Sequence, residues 1–136
     1  MARTSTNDAE ATLLRAARDA RRRAYAPYSA FKVGAAVQVD GEVYSGCNVE
    51  NASYGLTVCA ERNAVGAAAL AGGRRISAVA VASGTARPTP PCGACLQVLA
   101  EFAGAETPVL LAGQRGAVVR TTLGALLPHA FGRGYL

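Results

Sequence analysis

The chain has 136 residues, which fits one domain (1–136) able to bury a core without help from disulfides. A hydrophobic fraction of 51% excludes whole-chain disorder, and no run of about 18 apolar residues offers a membrane span. The net charge of +5 rests almost wholly on arginine, Lys32 being the single lysine, and nucleic acid is not expected as a partner. Arg15, Arg18 and Arg22 of the basic cluster at 15–23 fall at helical spacing and read as one solvated face. No aromatic residues interleave with them as on a strand-stacking surface.

The start, MARTSTNDAE, has no apolar core suited to a signal peptide, and residues 1–7 are expected to be flexible. A cytoplasmic location follows, with no membrane association. Thiols stay reduced there, so Cys47, Cys59, Cys92 and Cys95 read as metal or catalytic groups before they read as bridges.

Leu13, Leu14 and Ala17 set a helix over 8–25 that Pro27 stops. Two strands over 31–39 and 42–48 flank Asp40-Gly41, a pair that signals a tight hairpin. An alanine-rich helix over 57–70 ends at Gly72-Gly73, and ISAVAVAS then reads as a strand. After the turn RPTPP comes a helix over 92–102, then short strands in TPVLLA and AVVR, one helical turn before Pro128 and an irregular tail. Strands alternating with helices imply a central sheet, at least partly parallel, with helices on its faces.

A hydrolytic zinc needs about three protein ligands and one open position. The only histidine, His129, lies in the tail, so cysteines are the main candidates. Cys92 and Cys95 lie three apart where a helix opens, and Cys59 also opens one; helix N-termini favour the thiolate. Glu61, two residues after Cys59, is placed to act as a general base on a water in the open position. The CxxC alone leaves open a redox pair or half of a structural zinc site. Cys47 reads most simply as a small buried residue.

Taken in order, PYSAFKVGAA, GCNVENASYG, CAERNA, PCGAC and LLPHAF resemble the small, homotetrameric, zinc-dependent cytidine deaminases. The likeness runs from about Tyr25 to Leu136, and zinc deaminases share a P-C-x-x-C with a glutamate that is not a ligand. The resemblance implies a three-layer α/β/α sandwich with a mixed five-stranded sheet. It implies one Zn2+ per subunit on Cys59, Cys92 and Cys95, and hydrolytic deamination of cytidine and 2'-deoxycytidine to uridine and 2'-deoxyuridine with release of ammonia, in pyrimidine salvage. Glu61 would move the protons of the reaction, and the backbone at Ala60 would help hold the base.

Asn48 and Glu50 are two apart at a strand end and point to one side, an arrangement that suits a ribose. In the family the matching pair binds the sugar. Phe31, by periodicity an ordinary core residue, matches the phenylalanine that packs on the pyrimidine. Phe131 resembles an aromatic supplied by a neighbouring subunit, and Tyr54 lies near a subunit boundary in relatives, so the self-partner expected is a homotetramer with shared active sites. Three thiolates give the zinc site a formal charge of about −1, which Arg62 and the helix N-termini would offset.

Two other functions compete: deamination of another cytosine nucleoside, such as an aminonucleoside antibiotic, and a non-catalytic zinc or nucleic-acid-binding module. The first lacks the NVEN pattern in its known forms, and the second leaves Glu61, Asn48 and Glu50 without a task. Leu96 departs from the family, which usually has arginine there. Losing that cation is expected to lower activity or change subunit contacts without changing the reaction.

Overall fold

Alternation along the strands divides the apolar residues into two sets, and each set faces a different layer of helices. The computed structural model describes residues 6–136: α1 (Thr6–Arg21), β1 (Val33–Val39), β2 (Glu42–Cys47), α2 (Ala60–Leu70), β3 (Ile76–Ser83), α3 (Gly93–Phe102), β4 (Pro108–Ala112), β5 (Val118–Thr122) and α4 (Leu123–Leu126). Of the segment 1–7 expected to be flexible, residues 1–5 lie outside the described residues, and Thr6 begins α1. The strands form one mixed five-stranded sheet in the order β2-β1-β3-β4-β5. Only β3 and β4 pair in parallel; the other neighbours are antiparallel.

Ala36, Ala80, Ala82, Leu110 and Ala112 face α1 and its Leu13, Leu14 and Ala17. The intervening residues Ala35, Val37, Val79, Val81, Val109 and Leu111 face α2 and α3. The result is a three-layer α/β/α arrangement, with α1 on the small-residue face and α2, α3 and the short α4 on the bulkier one.

Two glycines set the spacing of the layers. A Cβ on Gly34 would lie 2.0 Å from the Ala17 carbonyl oxygen of α1. One on Gly46 would lie 2.5 Å from the backbone nitrogen of Ala64 in α2. Neither helix can approach so closely over any other residue.

The hairpin turns on Asp40 and Gly41, whose φ values of 53° and 79° are the positive pair that a type I′ turn demands. Gly72 (φ 95°) ends α2, and Gly73 donates back to the Ala68 carbonyl at 2.8 Å. No described helix is long and apolar enough to cross a membrane.

Two expected helices are shorter than their patterns. The first stops at Arg21 rather than continuing to 25, because Tyr25 donates to Asn48 O (3.0 Å) and accepts from Glu50 N (2.9 Å). The second starts at Ala60 rather than 57, because Val58 and Val49 exchange backbone hydrogen bonds of 2.9 and 3.0 Å. Segment 48–50 is thus gripped from both sides, and these long-range bonds outweigh local helix propensity.

Gly34→Ala is expected to destabilise the fold by about 1–3 kcal/mol through overpacking. Gly66→Ala, in the α2 interior with no atom near the new methyl, is expected to stabilise by about 0.5–1 kcal/mol. Urea unfolding of both variants checks the pair.

Candidate metal centre and nucleoside pocket

The connectivity brings two helix N-termini to one end of the sheet. Strands β2 and β3 run the same way on either side of β1, and β4 follows β3 in parallel. Right-handed crossovers that step across a sheet in one direction lie on one face. Helices α2 and α3 therefore both start beyond strand C-termini on that face. Cys59 is the N-cap of α2 and Cys92 the N-cap of α3, both with extended backbone. Cys95 follows in the first turn of α3.

The three sulfurs lie within 4.8 Å of one another, and Cys92 Sγ is 3.5 Å from Cys95 Sγ. A tetrahedral zinc with Zn–S near 2.3 Å sets sulfurs about 3.8 Å apart, so donor type and spacing both fit. No other such cluster exists among the described residues. His129 is exposed and takes no part, and Cys47 is separate, its Sγ 3.5 Å from Arg23 O.

Burial tends to raise the Cys92 thiol, but hydrogen bonds from the Cys95 and Ala94 amides and the neighbouring thiols outweigh it and leave the pKa lowered. Cys95 is pushed far up, first by burial, then by the Glu61 charge and the other two sulfurs. Without a cation the cluster resists holding three negative charges, and a divalent ion reverses that balance.

Arg62 points its Nη2 to Cys59 Sγ at 3.6 Å and to Thr57 O at 3.3 Å. Its Nε is buried without a hydrogen-bond partner among the described residues, leaving a second donor close to the sulfurs. Glu61 is 5% exposed, and burial raises its pKa against the opposing pull of its own amide, the Cys95 thiol and Arg62.

A cavity of about 280 Å³ opens beside this cluster, at the small end of the range for small-molecule sites. Cys59, Ala60, Glu61 and Cys92 line it together with Phe31, Asn48 and Glu50. Phe31 is 40% exposed and forms cavity wall rather than core, because β1 begins two residues after it.

Asn48 Oδ1 accepts from Val33 N (2.9 Å) and its Nδ2 donates to Phe31 O (2.8 Å). Glu50 Oε1 accepts from the amides of Tyr28 (2.9 Å) and Ser29 (3.2 Å), while the Ser29 hydroxyl donates to Oε2. These bonds, the Ser29 hydroxyl first, lower the Glu50 pKa despite some burial. Each of the two side chains keeps acceptor capacity free.

The sequence reading passed over Ser29. It also passed over Thr57, Thr89 and Pro90, which line the same cavity. Only their places beside recognisable motifs could have pointed to them.

Tyr54 lies outside this cavity, 73% exposed, with its ring centroid 5.8 Å from that of Tyr28. Phe131 also lies outside it, 58% exposed, stacked on Tyr135, its carbonyl accepting from Gln97 Nε2 at 2.9 Å. Leu96 is 7% exposed within the α2–α3 core, where packing accounts for an apolar side chain.

The family model for the cytidine and deoxycytidylate deaminase zinc-binding region matches residues 7–111. The chain belongs to the cytidine and deoxycytidylate deaminase family. Among curated relatives it is 52% identical over 120 residues to the cytidine deaminase of Halalkalibacterium halodurans, covering 88% of this chain and 91% of that one. It is 52% identical over 110 residues to the cytidine deaminase of Mycobacterium tuberculosis, covering 80% and 79%. The crystal structure of cytidine deaminase from Burkholderia pseudomallei superposes with a TM-score of 0.85 at 52% identity, covering 89% of this chain and 98% of that one.

As a member of this deaminase family, the purified protein is expected to bind one zinc per chain. Cys59→Ser, Cys92→Ser and Cys95→Ser should each weaken zinc binding by more than about a hundredfold, and Arg62→Ala by about ten- to a hundredfold. Acidification should release the metal, since protons compete for the sulfurs. Titration against a chromophoric chelator at several pH values checks all three.

Proposed function

We propose that the chain, as a single domain, catalyses hydrolytic deamination of cytidine and 2'-deoxycytidine to uridine and 2'-deoxyuridine, releasing ammonia in pyrimidine salvage. The observation that carries this reading is the buried Glu61 carboxyl beside three converging sulfurs, in a cavity also lined by Phe31, Asn48 and Glu50. The names of the relatives support the same substrate class.

Cys59, Cys92 and Cys95 would hold a zinc ion, which when bound would act as a Lewis acid and lower the pKa of a water molecule toward neutrality. Glu61 is the group that holds and moves protons: it takes one from the water and delivers it to ring N3 as the water oxygen bonds to C4, then takes the second from the hydroxyl now on C4 and passes it to the amine as the C4–N bond breaks. Burial raises the Glu61 pKa above its ordinary value, the direction that suits a group which takes up and gives up a proton. Arg62 offsets the negative charge of the sulfurs from beside Cys59. Phe31 packs on the pyrimidine, the backbone at Ala60 holds the base, and Asn48 and Glu50 bind the ribose through their remaining hydrogen-bonding capacity.

The enzyme works in the cytoplasm as a homotetramer whose active sites are shared between subunits. The exposed aromatics Tyr28, Tyr54, Phe131 and Tyr135 support this, since such side chains gain stability when a neighbouring chain covers them. Phe131 and Tyr54 then complete sites other than their own.

Conversion of cytidine to uridine, followed by absorbance, tests the activity. The parent should turn over, while Glu61→Gln should keep its zinc and lose at least about a hundredfold in kcat. An inactive parent with full zinc would overturn the proposal. Light scattering is expected to give four chains per particle, and Phe131→Ala to raise KM in tetramers that still form.

A further inference from the structure

One side chain ties the helix that begins at Cys59 to the strand that leads into Asn48 and Glu50. Asn63, half-buried in α2, donates from Nδ2 to Cys47 O at 2.8 Å. The sheet leaves that carbonyl unused. In an antiparallel ladder only alternate pairs bond across. Val33 and Asn48 are such a pair, Asn48 N donating to Val33 O at 3.2 Å while Val33 N donates to Asn48 Oδ1 at 2.9 Å. The next pair, Gly34 and Cys47, is therefore a non-bonded one, and Cys47 O turns to the open side of β2, which is the edge strand. Asn63 supplies the donor that no neighbouring strand provides.

Nothing local calls for an asparagine here, since it is a weaker helix former than the alanines that fill much of α2. Its backbone N–H donates to Cys59 O at 3.1 Å, in the turn that opens the helix. The same stretch of backbone rests on Gly46, where a Cβ would lie 2.9 Å from Asn63 C. Asn63 is thus bonded to the peptide of Cys59 through its main chain and to the peptide of Cys47 through its side chain. Glu61 stands two residues before it, and Asn48 follows Cys47 directly.

We infer that Asn63 is a positioning residue that holds Asn48 and Glu50 at a fixed offset from Cys59 and Glu61. This rests on the function proposed above and deepens it. Asn63 does not line the cavity and acts only through its neighbours. A nucleoside joins base to ribose by a single bond, so it meets both ends of the cavity at once only when their spacing is kept. Freed from α2, the end of β2 shifts, and the sugar hydroxyls lose hydrogen bonds while the base still reaches Glu61.

Inhibition of cytidine turnover by the zinc-loaded enzyme tests this. The ratio of the inhibition constant of 2',3'-dideoxyuridine to that of uridine reads what the sugar hydroxyls contribute. Asn63→Leu keeps the size of the side chain and removes the donor, and the ratio should fall about five- to tenfold, the worth of one hydrogen bond. Asn63→Asp sets a carboxylate oxygen against the Cys47 carbonyl, and the ratio should fall at least as far.

A purely structural role would weaken both inhibitors alike and leave the ratio at the parental value. An unchanged ratio in either variant beside an active parent, or a parental ratio already near one, would overturn this inference while the deaminase reading stands. A zinc-loaded parent without turnover would overturn both together. Thermal melts identify a variant that fails to fold, and Asn63→Ala then replaces it under the same criterion.

Discussion

Everything at the site depends on two helix N-termini meeting at one end of the sheet. Three sulfurs from positions 59, 92 and 95 converge only because β2, β3 and β4 run in the same direction while their two crossovers share a face. Had either crossover passed on the α1 side, Cys59 and Cys92 would face opposite layers. Gly46 fixes how deeply α2 sits, since the backbone of Ala60 and Ala64 presses directly on it. The metal centre is thus a property of topology before it is a property of any one motif.

The electrostatics follow from that convergence. Burial, the Glu61 charge and the other two sulfurs raise the cost of ionising Cys95. Amides at the start of α3 and the neighbouring thiols lower the Cys92 pKa, and Arg62 donates to Cys59 Sγ. Glu61 feels the same crowding: it sits on the helix that supplies one sulfur and beside the thiol of the other helix, and burial lifts its pKa. One geometry therefore produces both a strong cation site and a carboxyl suited to carrying a proton.

Much of this was legible in the sequence wherever the signal was local. Asp40-Gly41 specified its turn, Gly72-Gly73 its helix end, and the positions of Cys59 and Cys92 at helix starts followed from neighbouring patterns. Tyr25 and Val58 were misread as helix because their true partner, Val49, is distant in sequence. Phe31 carried the period of a core residue yet stands in a cavity wall.

The turn before β1 has a further consequence. Ala30 holds a φ of 59°, a left-handed conformation that costs a residue with a Cβ about 1–2 kcal/mol. Glu50, Ser29 and Asn48 hold the turn in place through five hydrogen bonds made before any ligand arrives. The wall that carries Phe31 is consequently braced by bonds within the chain itself. A ligand that packed on it would meet a surface whose ordering cost is already met during folding.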